Sequence, residues 1–169
     1  GPLIGSEIQD SIREPNFLLW RTCWLSKELG RHIFGARYLR LDQKVDSYSR
    51  LSPSILREFM TYTVVGLPGE EPALEKRAES LVRHTREVSR AKLALAYSIV
   101  DGIQKKLAQR WPKEGRLCFI IAGDIVYGMA HDVPRPEFST GEMVNGSDID
   151  LVVVADDDMS QNLAIVQFL

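Results

Sequence analysis

The chain has 169 residues, of which 44% are hydrophobic and 26% are charged, and its formal net charge is -2 at pH 7. This composition is typical of a globular protein with one sizeable core, and the small net charge excludes a uniformly basic nucleic-acid coat. Two cysteines are too few for a disulfide framework, and no apolar run reaches the roughly 18 residues that cross a bilayer. We therefore expect a soluble, intracellular (cytoplasmic) protein with Cys23 and Cys118 in its core.

The N-terminal part of the chain contains two helical patterns. Residues 1–14 begin with GPLIGS, which resembles a processing remnant, and we expect them to be flexible and outside the fold. A helical pattern over 15–30 begins at a proline and ends at a glycine, and a second over 52–66 begins with Ser-Pro and ends at a glycine. The segment 31–50 mixes both periodicities and predicts irregular structure or a short helix.

The longest helical pattern covers 72–111, with apolar residues recurring at spacings of three, four and seven. Its exposed face is basic, with four residues that could contact phosphates of a nucleic acid: Arg83, Arg86, Arg90 and Lys92. The alternative is that these charges only solvate the helix and pair with its glutamates Glu79 and Glu87. With this helix, residues 15–112 form a mainly helical region.

The remaining residues, 113–169, predict a small sheet. The run LCFIIAG over 117–123 is typical of a buried strand that ends at a glycine, and DIVYGMAH over 124–131 predicts the first turns of a helix. The Pro, Gly and Ser content of 132–147 predicts a loop. A second buried strand follows over 148–154, and capping residues then begin a last helix.

Two aspartates, Asp148 and Asp150, stand at the start of the second strand. Because residues two apart in a strand point to the same face, the two carboxylates would lie side by side in an open cleft near Gly123. Two such charges are tolerated best beside a cation, and Mg²⁺ or Mn²⁺ suits their hard oxygen atoms. The alternative is that both acids are solvated in the loop and the strand begins at Leu151.

This arrangement resembles the nucleotidyltransferase superfamily, the fold of polymerase-beta-type enzymes. Gly123 matches the glycine that closes the first strand of that family, and Tyr127 and Gly128 lie at the spacing of the small-residue turn that follows it. The sequence GSDIDL over 146–151 matches the family's acidic motif position by position. The resemblance covers roughly residues 116–160.

The resemblance implies an α+β fold in which the helical region precedes a small mixed sheet of nucleotidyltransferase type. It also implies an enzyme that uses Mg²⁺ or Mn²⁺ to transfer a nucleoside monophosphate from a nucleoside triphosphate, such as ATP, to a hydroxyl group. The acceptor would be RNA, a nucleotide, a small molecule or a protein, and pyrophosphate would be released. A basic helix beside an acidic loop would help to position the triphosphate.

The resemblance assigns roles to five residues of this sequence. Asp148 and Asp150 are the implied catalytic residues and metal ligands. Gly123, Asp124 and Ser147 are the implied contacts to the bound nucleotide, because glycine lets the backbone approach a phosphate and neighbouring N–H groups can donate to it.

A second interpretation stays open, in which the chain is a catalytically inactive nucleotidyltransferase-like module that binds a protein or a nucleic acid. Asp124 stands where the family has Gly or Ser, and the family's third acid has no counterpart before Leu169. The acids 156–158 predict a helix cap and a solvated turn instead. His131 would be a solvated loop histidine or a contact to the substrate. A third interpretation is an interaction domain in which the two aspartates have no joint role.

Overall fold

The computed structural model describes residues 1–34, 53–110, 117–136 and 143–155. The helices in these ranges are α1 (Gly5–Ile12), α2 (Asn16–Leu25), α3 (Pro53–Tyr62) and α4 (Glu71–Arg110). The strands are β1 (Leu3–Ile4), β2 (Gly30–Ile33), β3 (Thr63–Gly66), β4 (Leu117–Ala122), β5 (Pro134–Pro136), β6 (Met143–Asn145) and β7 (Asp150–Ala155). The predicted α+β class is confirmed, but each strand pairing in the described residues is antiparallel, whereas a mixed sheet was predicted.

The first sheet has the order β1-β3-β2 and lies in the N-terminal half of the chain. Its central strand β3 is buried along its whole length. The sequence predicted helix through this strand, and that prediction was wrong, because α3 ends at Tyr62. The run Thr63, Val64 and Val65 is β-branched at every position and therefore favours a strand. Likewise β2 begins at Gly30, where the first predicted helix ended, and continues into 31–33, where irregular structure or a short helix was predicted.

Residues 1–14 are part of the fold, although the sequence analysis placed them outside it. Ile4 and Ile8 are buried, at 7% and 8% exposure. Gly5 packs so closely on α3 that a Cβ at this position would lie 2.3 Å from the carbonyl oxygen of Phe59. A short apolar segment therefore gains its order from tertiary packing, which a remnant-like sequence does not reveal.

Helix α4 confirms the predicted long helix and connects the two parts of the chain. Near its N-terminus Leu74 and Ala78 are buried in a cluster with Val64 of β3. Further along, Ala96 is buried in a second cluster with Ile125, in the segment after β4. The helix thus supports the first sheet and the β4–β7 region on one continuous element.

Strands β4 and β7 pair over their whole length. The strand β4 lies where the sequence predicted it, whereas β7 begins two residues later than predicted. They are not fully buried, however, because Ile120, Val152 and Val154 are 47%, 49% and 49% exposed. Cys118, predicted as a core residue, is also exposed, whereas Cys23 is buried as predicted. A two-stranded ribbon with one packed face alternates in burial, and an unbroken apolar run does not reveal which face is open.

The segments around these strands differ from the prediction in two places. Residues 124–128 form a turn and 129–131 are irregular, whereas the first turns of a helix were predicted. The predicted loop 132–147 contains β5 and β6, which pair from Pro134 opposite Asn145 to Pro136 opposite Met143. The predicted last helix and the acids 156–158 lie outside the described residues. No helix in the described part of the chain is long and apolar enough to cross a membrane.

Candidate functional site

The site is centred where the end of β4 meets the start of β7. Ala122, the last residue of β4, is the pairing partner of Asp150, the first residue of β7. The next residue, Gly123, has a φ of +80°, and a Cβ at this position would lie 2.0 Å from Oδ2 of Asp150. The carboxylate of Asp150 therefore lies against the backbone of Gly123, and only glycine has both the conformation and the space that this contact needs.

Asp148 lies just before the strand, since β7 begins at Asp150 and not at Asp148 as predicted. Both aspartates are exposed, and Ile149 between them packs on the cluster formed by Ala96 and Ile125. The apolar residue is thus anchored inward while the two acids keep access to solvent. Asp150 thus contacts Gly123, and Asp148 lies in the segment that precedes β7.

Asp124 and Ser147, the other predicted contacts to the nucleotide, bind each other. The hydroxyl of Ser147 donates to Oδ2 of Asp124 at 3.1 Å and accepts from the backbone N–H of His131 at 3.1 Å. The N–H of Ser147 also donates to the carbonyl oxygen of His131 at 2.9 Å. One carboxylate oxygen of Asp124 is therefore directed at the acidic segment, where it helps to fix Ser147.

Gly146 makes the second close backbone approach of the site. Its φ is +77°, and a Cβ here would lie 1.9 Å from the carbonyl oxygen of His131. Its N–H donates to the carbonyl oxygen of Val133 at 3.1 Å. His131 itself is buried at 7% exposure, with its ring edge-on to Tyr62 at 6.1 Å, so the prediction of a solvated loop histidine was wrong. The pairing of β5 with β6 brings the segment that contains His131 next to Gly146 and Ser147.

Two polar residues of α4, Ser89 and Lys92, form hydrogen bonds with the backbone of the site, a role that the sequence did not predict. Ser89, buried at 4% exposure, accepts from the N–H of Ala130 at 2.9 Å and donates to the carbonyl oxygen of Thr85 at 2.7 Å. The ammonium of Lys92 donates to the carbonyl oxygen of Ser147. The available signal was their position, because both lie near the apolar side of the helix that also carries Ala96.

Tyr62, the last residue of α3, connects the region of the first sheet to the turn after β4. Its hydroxyl donates to the carbonyl oxygen of Met129 at 2.5 Å. Burial raises the pKa of Tyr62 to about 12, and the positive charge of Arg57 acts in the opposite direction. The phenol therefore stays a neutral donor at physiological pH. The turn is closed by its own backbone, with the N–H of Met129 donating to the carbonyl oxygen of Asp124 at 2.9 Å.

The acids of the site can offer a metal ion two carboxylates. No group of three or more His, Cys, Asp or Glu side chains that could hold a metal is found in the described ranges. A third nearby acid, Asp132, is paired with His84, whose Nε2 lies 2.7 Å from Oδ2. Mg²⁺ is often bound by one or two carboxylates and completes its six oxygen ligands with water and substrate phosphates. Asp148 and Asp150 are the acids of this segment that stay open to solvent.

The basic face of α4 borders the same turn. Arg83 and Arg86 line an open depression of about 350 Å³, together with His32 of β2. The aliphatic part of Arg86 lies under the turn, since a Cβ at Gly128 would be 3.9 Å from its Cγ. The ion pairs described on α4 involve other residues: Arg77 with Glu7, His84 with Asp132, and Lys105 with Asp101. The depression carries both signs of charge, because Glu75 and Glu79 line it as well.

Comparisons of the chain with protein-family models, with curated proteins and with solved structures give no match. The chemistry of the site therefore has to be argued from its own residues.

Proposed function

We propose that the chain is a nucleotidyltransferase that transfers a nucleoside monophosphate from a nucleoside triphosphate to a hydroxyl acceptor. The observation that carries the proposal is the contact between Asp150 and Gly123, with Asp148 exposed two residues earlier. A glycine in a left-handed conformation exposes backbone to a ligand, and an acid next to it can share a metal with that ligand's phosphates.

In this proposal Asp148 and Asp150 hold Mg²⁺ or Mn²⁺. Their oxygen atoms are the donors that such ions prefer, and both side chains are open to solvent. When bound, the metal supplies charge neutralisation and orientation of the triphosphate. Ser147 and Asp124 contribute indirectly, because their hydrogen bond fixes the backbone from which Asp148 projects. Because the carboxylate of Asp150 lies against Gly123, a metal ion that it holds would bring the phosphates of a nucleotide such as ATP beside this turn.

The reaction joins the acceptor oxygen to the α-phosphorus while the bond between the α- and β-phosphates breaks. Pyrophosphate leaves, and the proton of the hydroxyl group passes to solvent. RNA, a nucleotide, a small molecule or a protein side chain each offers a suitable hydroxyl group. Orientation of the two reacting atoms is the main contribution expected of the site, because phosphoryl transfer needs little covalent chemistry from the protein.

A second function is favoured by the contact between Asp124 and Ser147. The hydroxyl of Ser147 donates to this carboxylate, and the acidic side chain follows directly after Gly123, where it adds negative charge near any triphosphate. A module with this arrangement would bind a protein or nucleic-acid partner without transferring a nucleotide.

An assay with a nucleoside triphosphate labelled at the α-phosphate separates the two functions. Incubation with Mg²⁺ and a panel of acceptors should give a labelled acceptor and pyrophosphate for the native protein. Asp148→Asn combined with Asp150→Asn should abolish both products, while Asp101→Asn, an exposed change on α4, should have no effect. Nucleotide binding without any labelled product would favour the inactive module. Equal product formation by the double variant would refute the proposed site.

A further inference from the structure

Lys92 contacts the acidic segment from the packed side of α4. It lies between two buried positions of that helix, Ser89 at 4% and Ala96 at 1% exposure, and is itself half-buried. Its ammonium donates to the carbonyl oxygen of Ser147, which belongs to the peptide bond preceding Asp148. A lysine at such a position loses hydration and side-chain freedom, so its charge is expected to have a use.

The charge balance of the site indicates what that use is. Asp150 lies against Gly123, Asp124 follows this glycine in the chain, and Asp148 precedes β7 by two residues. A nucleoside triphosphate with one bound divalent ion still carries net negative charge. Like charges at short distance repel. A cation of the protein that faces the phosphates would offset this repulsion. The ammonium group has three donors, and Ser147 accepts from one of them.

We propose that Lys92 binds the triphosphate of the metal–nucleotide complex and makes the site bind that complex in preference to a metal ion alone. This inference rests on the function proposed above and adds the residue that recognises the substrate's phosphates. Arg86, whose Cγ lies near Gly128, precedes Lys92 in α4 and is outside the described contacts of the acidic segment. Lys92 is the residue whose described contact joins α4 to the residue before Asp148.

The charge of Lys92 has opposite effects on the two ligands. It attracts the phosphates of a nucleotide, whereas it repels a bare divalent ion that approaches Asp148 and Asp150. A lysine that served only to hold the carbonyl oxygen of Ser147 would affect both ligands in the same direction. The two binding constants together therefore distinguish a phosphate contact from a purely structural contact.

Calorimetric titration of Mg²⁺–ATP and spin-resonance titration of Mn²⁺ alone test the proposal on the native protein, Lys92→Met, Lys92→Arg and Lys105→Met. Lys105 is an exposed lysine of α4 paired with Asp101, so its variant is the matched control. Lys92→Met should weaken nucleotide binding by about 10- to 100-fold, the loss expected for a charged hydrogen bond. Its affinity for Mn²⁺ should be unchanged or higher. Lys92→Arg should restore most of the nucleotide binding, and Lys105→Met should match the native protein.

Three results would overturn the proposal: nucleotide binding by Lys92→Met within twofold of native, parallel loss of nucleotide and Mn²⁺, or an equal loss in Lys105→Met. If the native protein binds neither ligand, the proposed function fails and this inference fails with it. A measurement on the native protein avoids any effect of substitution on folding. Mg²⁺–ATP should protect Lys92 but not Lys105 from reductive methylation, and equal labelling of Lys92 with and without the nucleotide would contradict the proposal.

Discussion

The carboxylate of Asp150 lies on the backbone of Gly123, so close that a Cβ on this glycine would be 2.0 Å from Oδ2. The contact follows from strand register, because Asp150 pairs with Ala122 and the chain turns at the next residue with a φ of +80°. The acid and the turn therefore have a fixed relation before any ligand binds. Such preorganisation is what a metal–phosphate site requires.

Gly123→Ala is expected to destabilise the protein and displace Asp150. The left-handed conformation alone costs about 1 to 2 kcal/mol for alanine, and the clash with the carboxylate adds to it. Gly69→Ala is the matched control, because Gly69 has a similar φ of +84° with no atom within 4 Å of a Cβ. Urea unfolding should show a loss for both variants, with Mn²⁺ binding weakened only in Gly123→Ala. Equal Mn²⁺ binding in the two variants would contradict the contact.

Gly146→Ala should unfold more easily than Gly123→Ala. The Cβ would lie 1.9 Å from the carbonyl oxygen of His131, and a backbone atom that accepts a hydrogen bond from the N–H of Ser147 moves less readily than the side chain of Asp150. We expect a loss of roughly 3 kcal/mol or more in the free energy of unfolding. Thermal melting of the two variants under the same conditions shows which of them is less stable. A smaller loss in Gly146→Ala would show that the segment around His131 yields easily.

Ser147→Ala removes the hydroxyl that connects Asp124 to His131. The buried N–H of His131 then lacks its side-chain acceptor, at a cost of about 1 to 3 kcal/mol. Ser11→Ala is a suitable control, because its hydroxyl also forms a hydrogen bond with the backbone, by donating to the carbonyl oxygen of Glu7, but is exposed. Hydrogen exchange at the amide of His131 should accelerate in Ser147→Ala and remain native-like in the control. Unchanged exchange in both would mean that the hydroxyl does not hold this segment.

The raised pKa of Tyr62 predicts that the folded protein loses stability at high pH. Its pKa is raised from 10.0 to about 12, so the folded state keeps the phenolic proton more tightly than the unfolded state. The associated stability, roughly 3 kcal/mol at most, is complete below pH 10 and is lost as the pH rises toward 12. Tyr62→Phe should be less stable at neutral pH by about 1 kcal/mol and should lose less between pH 10 and 12.

Tyr97→Phe provides the control for this titration, because Tyr97 is 62% exposed on α4. Its denaturant midpoint should follow that of the native protein at every pH. Parallel pH profiles for the native protein and Tyr62→Phe would contradict the assignment of the high-pH loss to Tyr62.

Local sequence signals were sufficient for part of the fold. Repeated apolar spacing identified α4, and the motif over 146–151 located Asp150, which the structure brings to Gly123 at the end of β4. The same signals failed at β3, where β-branching outweighed a helical pattern, and at residues 1–14, where tertiary contacts order the chain. Short segments whose stability comes from distant partners are the ones that periodicity does not reveal.

The support of the site from α4 could not be predicted for a related reason. Ser89 meets Ala130 across 41 residues of sequence, and Lys92 meets Ser147 across 55. A basic residue on a long amphipathic helix is interpreted as a solvated charge when the segment that packs against it is not known. His131 was misjudged in the same way, because its burial depends on the pairing of β5 with β6.

Titration of Mn²⁺ into the native protein, Asp150→Asn and Asp101→Asn, followed by electron spin resonance, tests the central claim most directly. The native protein should bind one ion, more tightly when ATP is present, because the phosphates complete the ligand set. Asp150→Asn should lose that binding, while Asp101→Asn, the same change on the exposed surface of α4, should keep it. Equal Mn²⁺ binding by all three proteins, with or without ATP, would contradict a metal–nucleotide site at Asp150.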